Sequence, residues 1–302
     1  MVGSCTLRAQ SHESSGGTNQ LCDPAIQGRL EVLQLTSRVF GNTRNLRVWI
    51  PPDYDDPANA TQRYPILYML DGQALFGRCS GTTSNLNWYI DRALFELISK
   101  KAIQPIFVVG IDNTGPKRDY EYAAYTNSLR LDDPGETHPR GDQFPDFLAT
   151  DVMPLIEGKY RIAKGRAHTG IGGSSAGAVA ALYTLVHRPD LAGLGLLEST
   201  SLQYGNGQLV RDTLPLAVGP IRISIGIGTA EMGPDIPAAI GMPDSNAGFV
   251  SLSKTLADHM QQALFNHPEV KLTIQPSGYH NAQYWGERFP AAAQFLFPPG
   301  AR

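Results

Sequence analysis

Residues 168–187, HTGIGGSSAGAVAALYTLVH, contain the pattern that decides the fold. Within them, residues 173–177 (GSSAG) match G-x-S-x-G, with an apolar strand-like stretch at 169–171 before the match and an apolar helix-like stretch at 179–185 after it. A sharp turn between a strand and a helix lifts the serine hydroxyl clear of a sheet. Glycine is expected on both sides of the serine because side chains would collide in so tight a turn. The pentapeptide is a weak signal by itself, so the interpretation depends on this context.

Strand-like and helix-like stretches alternate from about residue 30 to the end of the chain. Strands are predicted at 30–40, 44–50, 65–70, 106–111, 168–173, 193–197, 221–227 and 270–275, and helices at 88–100, 144–160, 176–187, 252–265 and 284–295. This alternation predicts an α/β fold with a mostly parallel sheet and helices on both faces, and the first two strands form an antiparallel hairpin at its edge. We expect a flexible segment at 1–25 and a single domain over 26–302.

The composition excludes several classes of protein. Hydrophobic residues are 42% and charged residues 18% of the chain, which is an ordinary globular balance, and the net charge of −3 lacks the basic surface that nucleic acid requires. No uninterrupted apolar run has the length of a membrane span. Cys5, Cys22 and Cys79 lack metal-site spacing, whereas a Cys22–Cys79 disulfide would suit an exported protein. Localisation stays open, with a secreted or periplasmic location slightly favoured.

Ser175 occupies the central position of the motif, and Ser174 is the alternative nucleophile. Serine needs an adjacent base to become nucleophilic, and on this kind of turn the acid and the histidine follow later in the chain. His280 lies in a loop just past the last predicted strand, from which it can reach the serine. His259 lies in the middle of a predicted helix and His267 at a helix end, positions typical of surface or structural histidines. We therefore expect His280 to be the base.

Glu231 is the candidate for the acid of this site. It follows the predicted strand 221–227 after three small residues, so it can hold an imidazole in one tautomer. Glu198, at the end of the strand 193–197, and Asp235 are the alternatives.

The predicted strand 65–70 ends in a turn, and the backbone N–H of Gln73 in that turn can join the N–H of Ala176 to form an oxyanion hole. An ordinary turn at the end of a strand is the alternative.

At these segments the chain resembles the putative-esterase family of α/β hydrolases, over about residues 30 to 297. The matching segments are YMLDGQALF at 68–76, VVGID at 108–112, GGSSAG at 172–177 and GTAE at 228–231, together with Trp88, Asp91, Arg118, Glu121, Tyr122, His280 and Trp285. The family includes enterochelin-type siderophore esterases, feruloyl and acetyl-xylan esterases, S-formylglutathione hydrolases and mycolyltransferases.

The resemblance implies an α/β-hydrolase fold and a serine esterase without a metal or an organic cofactor. The triad would be Ser175, Glu231 and His280, with Gln73 and Ala176 as the oxyanion hole. The residues placed near the substrate are Trp88, Arg118, Glu121, Tyr122 and Trp285. For Arg118 and Glu121, an equal alternative is a structural ion pair that braces a loop. Asp-Gly at 71–72 replaces the His-Gly of the formylglutathione enzymes, which favours the siderophore and aryl-ester branches.

The sequence therefore predicts a serine carboxylic-ester hydrolase that acts through an acyl-enzyme on a small-molecule ester of aryl, feruloyl or siderophore type. An acyltransferase with the same triad and a non-catalytic binding protein on this fold are the alternatives. Tyr120, Tyr122, Tyr125 and Trp88 indicate aromatic walls for a phenolic acyl group, or else simply cover the long polar stretch 113–143. The oligomeric state is not indicated.

Overall fold

The computed structural model describes residues 26–77, 87–125, 138–214, 216–233 and 245–300. Within these residues, eight strands form one sheet in the order β1-β2-β4-β3-β5-β6-β7-β8. The strands are β1 (Arg29–Thr36), β2 (Thr43–Ile50), β3 (Ile66–Leu70), β4 (Phe107–Ile111), β5 (Thr169–Ser174), β6 (Leu194–Glu198), β7 (Arg222–Gly228) and β8 (Glu269–Gln275).

The predicted α/β architecture is confirmed. Strands β3 to β8 run parallel to one another, and β2 runs antiparallel to both β1 and β4, so the N-terminal hairpin lies at one edge. The first strand ends at Thr36, and its predicted extension to Phe40 is wrong. The cause is tertiary, because the Asp151 carboxylate accepts hydrogen bonds from the Ser37 hydroxyl and the Arg38 N–H, both at 2.9 Å, and turns the chain away from the sheet.

Helices cover both faces of the sheet. They are α1 (Ile90–Ser99), α2 (Arg118–Tyr122), α3 (Phe144–Phe147), α4 (Met153–Lys159), α5 (Ala176–His187), α6 (Gln208–Asp212), α7 (Ser245–Gln261) and α8 (Ala282–Leu296). Apolar residues of α1 and α8 pack on one face, and those of α3, α4, α5 and α7 pack on the other. A π-helical turn at Leu148–Val152 joins α3 to α4, so the predicted helix 144–160 is continuous but not uniformly α.

The central strands are buried on both faces because their sequences are almost entirely apolar. In β3, Leu67 and Met69 face the core under α1 and α8, while Tyr68 and Leu70 face the opposite core. Each such fully buried side chain contributes about 1.5–3 kcal/mol, so these strands form the rigid base that holds the loops at the carboxyl edge.

Two expectations concern residues outside the described ranges: the flexible segment 1–25 and the Cys22–Cys79 disulfide. The single domain over 26–302 stays a prediction. In the described part of the chain, none of the helices combines the length and the apolar character needed to cross a membrane.

Candidate active site

Ser175 lies at the turn between β5 and α5, at the carboxyl edge of the sheet. Its backbone has φ 57° and ψ −128°, a conformation that costs about 1–3 kcal/mol in a residue with a side chain. The turn is so tight that a Cβ on Gly173 would lie 2.9 Å from the carbonyl carbon of Gly177. The Ser175 N–H donates to the Glu198 carbonyl at 3.0 Å, which ties this turn to β6.

His280 and Glu231 meet at the same edge, on the loops that follow β8 and β7. His280 Nδ1 lies 2.7 Å from Glu231 Oε2, and the His280 backbone N–H donates to the Glu231 carbonyl at 3.2 Å. The Glu231 side chain is 1% exposed, whereas that of His280 is 37% exposed. Because the carboxylate accepts from Nδ1–H, the neutral ring keeps Nε2 free of a proton, as a general base requires.

The other carboxylate oxygen of Glu231 also accepts hydrogen bonds. Oε1 accepts from the Gly228 N–H at 2.6 Å and from the Ser199 hydroxyl at 2.8 Å. A buried carboxylate is costly unless several donors compensate its charge. These two donors and the imidazole of His280 provide that compensation.

Ser175 and His280 line one cavity of about 400 Å³. The Ser175 hydroxyl lies 3.4 Å from the Ser201 hydroxyl. Among the described residues, it has no hydrogen bond to His280. Such contacts are often long or misaligned in a free site and tighten around a substrate. The structure therefore brings Ser175 and His280 to one cavity without joining them by a hydrogen bond.

The cavity is lined by both polar and apolar residues. The polar residues are Ser175, Ser199, Ser201, Gln203, Glu231 and His280. The apolar and aromatic residues are Tyr204, Ile227, Met232 and Phe249. No lysine or arginine is among these described lining residues, so they favour a neutral, partly apolar ligand.

The candidate oxyanion donors lie at the end of β3 and the start of α5. Asp71, with φ 59°, begins a short 3₁₀ turn at Gly72–Ala74, and Gln73 Oε1 accepts from the Asn113 N–H at 3.2 Å. Ala176 is the first residue of α5, so its N–H has no partner inside the helix. Among the described backbone contacts, neither Gln73 nor Ala176 donates its N–H. Neither residue is among the described residues that line the cavity of Ser175, so their role as oxyanion donors stays a prediction.

Comparison with known proteins identifies the family. Residues 37–296 match the sequence profile of the family described as "Putative esterase". This chain belongs to that family. It is accordingly a carboxylic-ester hydrolase, and the resemblance read from its motifs is confirmed.

Relatives of this esterase are similar over part or most of the chain. Protein YbbA of Bacillus subtilis strain 168, described as uncharacterized, is 21% identical over 266 residues, which cover 87% of this chain and 96% of that protein. The apo-salmochelin esterase of Escherichia coli O6:H1 is 30% identical over 133 residues, 41% of this chain and 37% of that protein. The crystal structure of an IroE-like serine hydrolase from Shewanella oneidensis aligns with a TM-score of 0.67 at 20% identity, covering 89% of this chain and 80% of that one. That likeness confirms the α/β-hydrolase fold.

Arg118 and Glu121 of this esterase pair with different partners and not with each other. Arg118 holds Asp71 through two contacts, Nε–Oδ1 at 2.8 Å and Nη2–Oδ2 at 2.7 Å, and thereby supports the turn that carries Gln73. Glu121 accepts from Arg44 Nη2 at 2.7 Å, with both side chains almost completely buried. Arg118 thus braces the turn that carries Gln73, and Glu121 lies in the interior.

The predicted aromatic residues fall into three places. Tyr122 is fully buried and packs edge-on against Phe144, with ring centroids 5.8 Å apart. Trp88 is buried against Trp285, at 5.7 Å, and lines a separate groove of about 620 Å³ between α1 and α8. Trp285 packs edge-on against His280, with ring centroids 5.3 Å apart. Of these three residues, only Trp285 contacts a predicted triad member.

The alternative nucleophile and bases lie elsewhere. Ser174 is buried in the last position of β5. His259 Nδ1 lies 2.9 Å from the Thr213 hydroxyl and is satisfied there, and His267 is exposed in the loop before β8. Neither histidine lines the cavity of Ser175.

Of the alternative acids, Asp235 lies outside the described residues. Glu198 is fully buried and accepts from Arg288 Nε at 2.6 Å. Burial raises the pKa of the Glu198 carboxyl to about 7, although the Arg288 guanidinium acts in the opposite direction. Glu198 therefore belongs to a buried pair behind the site.

Sequence reasoning missed Ser199 and Ser201, which line the cavity. They follow Glu198 directly in the run ESTS at 198–201. Polar residues just past the carboxyl end of a buried parallel strand lie where ligands bind in open α/β sheets, and this signal could have found them.

Proposed function

We propose that this chain is a serine carboxylic-ester hydrolase in which Ser175 is the nucleophile, His280 the general base and Glu231 the acid. The observation that carries the proposal is the 2.7 Å contact between His280 Nδ1 and Glu231 Oε2, at a cavity whose wall includes Ser175 on its strained turn. Membership of the esterase family supports the class of reaction.

The chemistry follows from these positions in two steps. His280 Nε2 takes the Ser175 proton as Oγ attacks the ester carbonyl, and the N–H groups of Gln73 and Ala176 stabilise the oxyanion. The imidazolium then protonates the leaving alkoxide, and an acyl-enzyme remains. Water attacks the acyl group by the same route, His280 accepting its proton, and the acid is released with Ser175 restored. Glu231 stabilises the imidazolium throughout without taking up the proton.

The lining of the cavity supports a neutral acyl group with an aromatic or aliphatic body. Tyr204, Ile227, Met232 and Phe249 offer apolar contacts, and the described lining contains no cation to balance a highly charged chelate. Within the aryl, feruloyl and siderophore types, we therefore place uncharged aryl and feruloyl esters first. Metal-free siderophore esters come second among these classes, because part of the chain is similar to an apo-salmochelin esterase.

The test is hydrolysis of 4-nitrophenyl butyrate by the wild type and by Ser175→Ala, with Ser174→Ala as the matched neighbour. Ser175→Ala is expected to lower kcat by about four orders of magnitude and to abolish labelling by a serine-directed phosphonate. Ser174→Ala is expected to keep the label and most of the activity. Substantial activity in Ser175→Ala would refute the proposal.

A second comparison tests the preference for uncharged substrates. Under the same conditions, the anionic 4-nitrophenyl hemisuccinate should have a lower kcat/KM than 4-nitrophenyl butyrate. An equal kcat/KM for the two esters would refute this preference.

A further inference from the structure

We infer that Ser199 is a positioning residue for the catalytic acid, and that Trp285 and Arg288 fix the direction in which its hydroxyl donates. The inference rests on the proposed function, because it takes Glu231 as the acid. Its basis is the set of hydrogen bonds around one buried hydroxyl.

Three groups surround the Ser199 oxygen. Glu231 Oε1 lies at 2.8 Å, Trp285 Nε1 at 2.8 Å and Arg288 Nη2 at 3.3 Å. An indole N–H and a guanidinium only donate hydrogen bonds, whereas an ionised carboxylate only accepts them. The Ser199 oxygen must therefore accept from Trp285 and Arg288. Its single proton is left for Glu231.

This fixed direction determines how Glu231 presents its second oxygen. Oε1 is held by the Ser199 hydroxyl and by the Gly228 N–H at 2.6 Å, so Oε2 is left for His280 Nδ1 at 2.7 Å. A carboxylate fixed at both oxygens cannot rotate, and the imidazole that donates to it keeps one orientation and one tautomer. Ser199 thus acts on the base through the acid.

The donors to Ser199 are themselves held in place. Arg288 is buried, with Nε 2.6 Å from Glu198 Oε2 and Nη1 2.7 Å from Gln275 Oε1. Gly226 makes room for this pair, since a Cβ there would lie 2.2 Å from Glu198 Oε2. The network therefore joins the ends of β6, β7 and β8 behind the site.

The backbone of Ser199 also indicates a specific role. Its φ is 46°, in the left-handed region that is unfavourable for a residue with a side chain. Such strain persists where the surrounding structure fixes the residue, and it concentrates at functional sites. Glycine would relieve the strain but would lose the hydroxyl, so the serine indicates that the hydroxyl is needed.

The first experiment compares Ser199→Ala with the wild type on 4-nitrophenyl butyrate. Loss of a hydrogen bond to a charged group is expected to lower kcat by about ten- to a hundredfold, with a smaller change in KM. Trp285→Phe, which removes the indole N–H but keeps an aromatic ring beside His280, should lower kcat less than Ser199→Ala does. An unchanged kcat in Ser199→Ala would overturn the inference.

Ser37→Ala is the matched control. The Ser37 hydroxyl is likewise buried and likewise donates to a buried carboxylate, Asp151 Oδ2 at 2.9 Å, but it lies in the turn between β1 and β2 and does not line the cavity. Thermal unfolding of both variants should show comparable losses of stability. Only Ser199→Ala should lose kcat, and an equal loss in both would indicate a purely structural role.

A double-mutant cycle with Glu231→Ala gives the decisive measurement. Glu231→Ala alone should lower kcat by about a thousandfold, and adding Ser199→Ala should cost little more because its effect passes through the absent carboxylate. Independent, multiplicative losses would overturn the inference and leave the proposed function intact. A Glu231→Ala enzyme with wild-type kcat would instead overturn the proposed function, and the positioning role with it.

Discussion

Ser175, the proposed nucleophile, has an unfavourable backbone conformation. Its φ of 57° and ψ of −128° are imposed by the change from β5 to α5 over a single residue. The side chain contributes to the cost, because glycine adopts positive φ without a Cβ clash. If Ser175 is the nucleophile, its hydroxyl is therefore kept at a cost in stability.

Replacing Ser175 by glycine should release part of this strain. We expect Ser175→Gly to be more stable than Ser175→Ala by about 1 kcal/mol, since relief of roughly 1–3 kcal/mol of strain outweighs the extra entropy that glycine gives the unfolded chain. Both variants should be inactive. Chemical denaturation of the two proteins measures the difference, and a Ser175→Gly protein that unfolds first would show that the turn is not strained by the side chain.

Individual residues were predictable where local sequence determines their role. The turn at Ser175 and the loops of Glu231 and His280 follow from motif and spacing, although their joint action remains a proposal. Ser199 could not be placed against Glu231 from the sequence, since that contact exists only because β6 and β7 are neighbours in the sheet. Glu121 was predicted near the substrate, but its burial depends on the distant Arg44.

The 3₁₀ turn Gly72–Ala74 packs directly on β4. A Cβ on Gly72 would lie 2.5 Å from the Gly110 carbonyl carbon, closer than real side-chain atoms come to backbone. The position of the Gln73 N–H is therefore set by backbone packing between two elements.

Gly72→Ala should displace this turn and with it one oxyanion donor. We expect kcat to fall by about a hundredfold, the effect of losing one such donor, together with some loss of stability. Gly158→Ala is the matched control, because a Cβ there meets no neighbour and alanine favours the α4 helix by about 1 kcal/mol. Steady-state kinetics and thermal unfolding of both variants make the comparison. Wild-type kcat in Gly72→Ala would exclude Gln73 as a donor.

The bounds of the parallel strands were predictable from the sequence, whereas those of helix α7 were not. The strands β3 to β8 begin and end within one residue of the predicted bounds. Strands β3 and β4 are buried apolar runs, which makes their limits readable from composition. Helix α7 ends at Gln261, and its predicted extension to 265 is wrong. The N–H groups of Leu264 and Phe265 instead donate to the carbonyls of Leu216 and Ala217, each at 3.0 Å.

At the scale of the whole molecule, a buried ion pair joins the edge hairpin to the segment that supports the site. Arg44 of β2 donates to Glu121 of α2 at 2.7 Å and to the Asn42 side chain at 2.6 Å. Its guanidinium also lies over the rings of Phe40 and Phe147, at 5.3 and 4.6 Å from their centroids. Removing one charge of such a pair leaves the other buried without compensation.

Glu121→Ala should therefore destabilise the entire fold by about 3–5 kcal/mol, while the folded enzyme keeps its kcat and KM. The double variant Arg44→Met/Glu121→Leu should recover most of this loss, because apolar side chains of similar size replace both charges. Chemical denaturation gives the stabilities, and kinetics below the unfolding transition give the activity. If Glu121→Ala raised KM without lowering stability, Glu121 would belong to the substrate site as its motif suggests. The depth of its burial against Arg44 is the physical reason to expect the opposite.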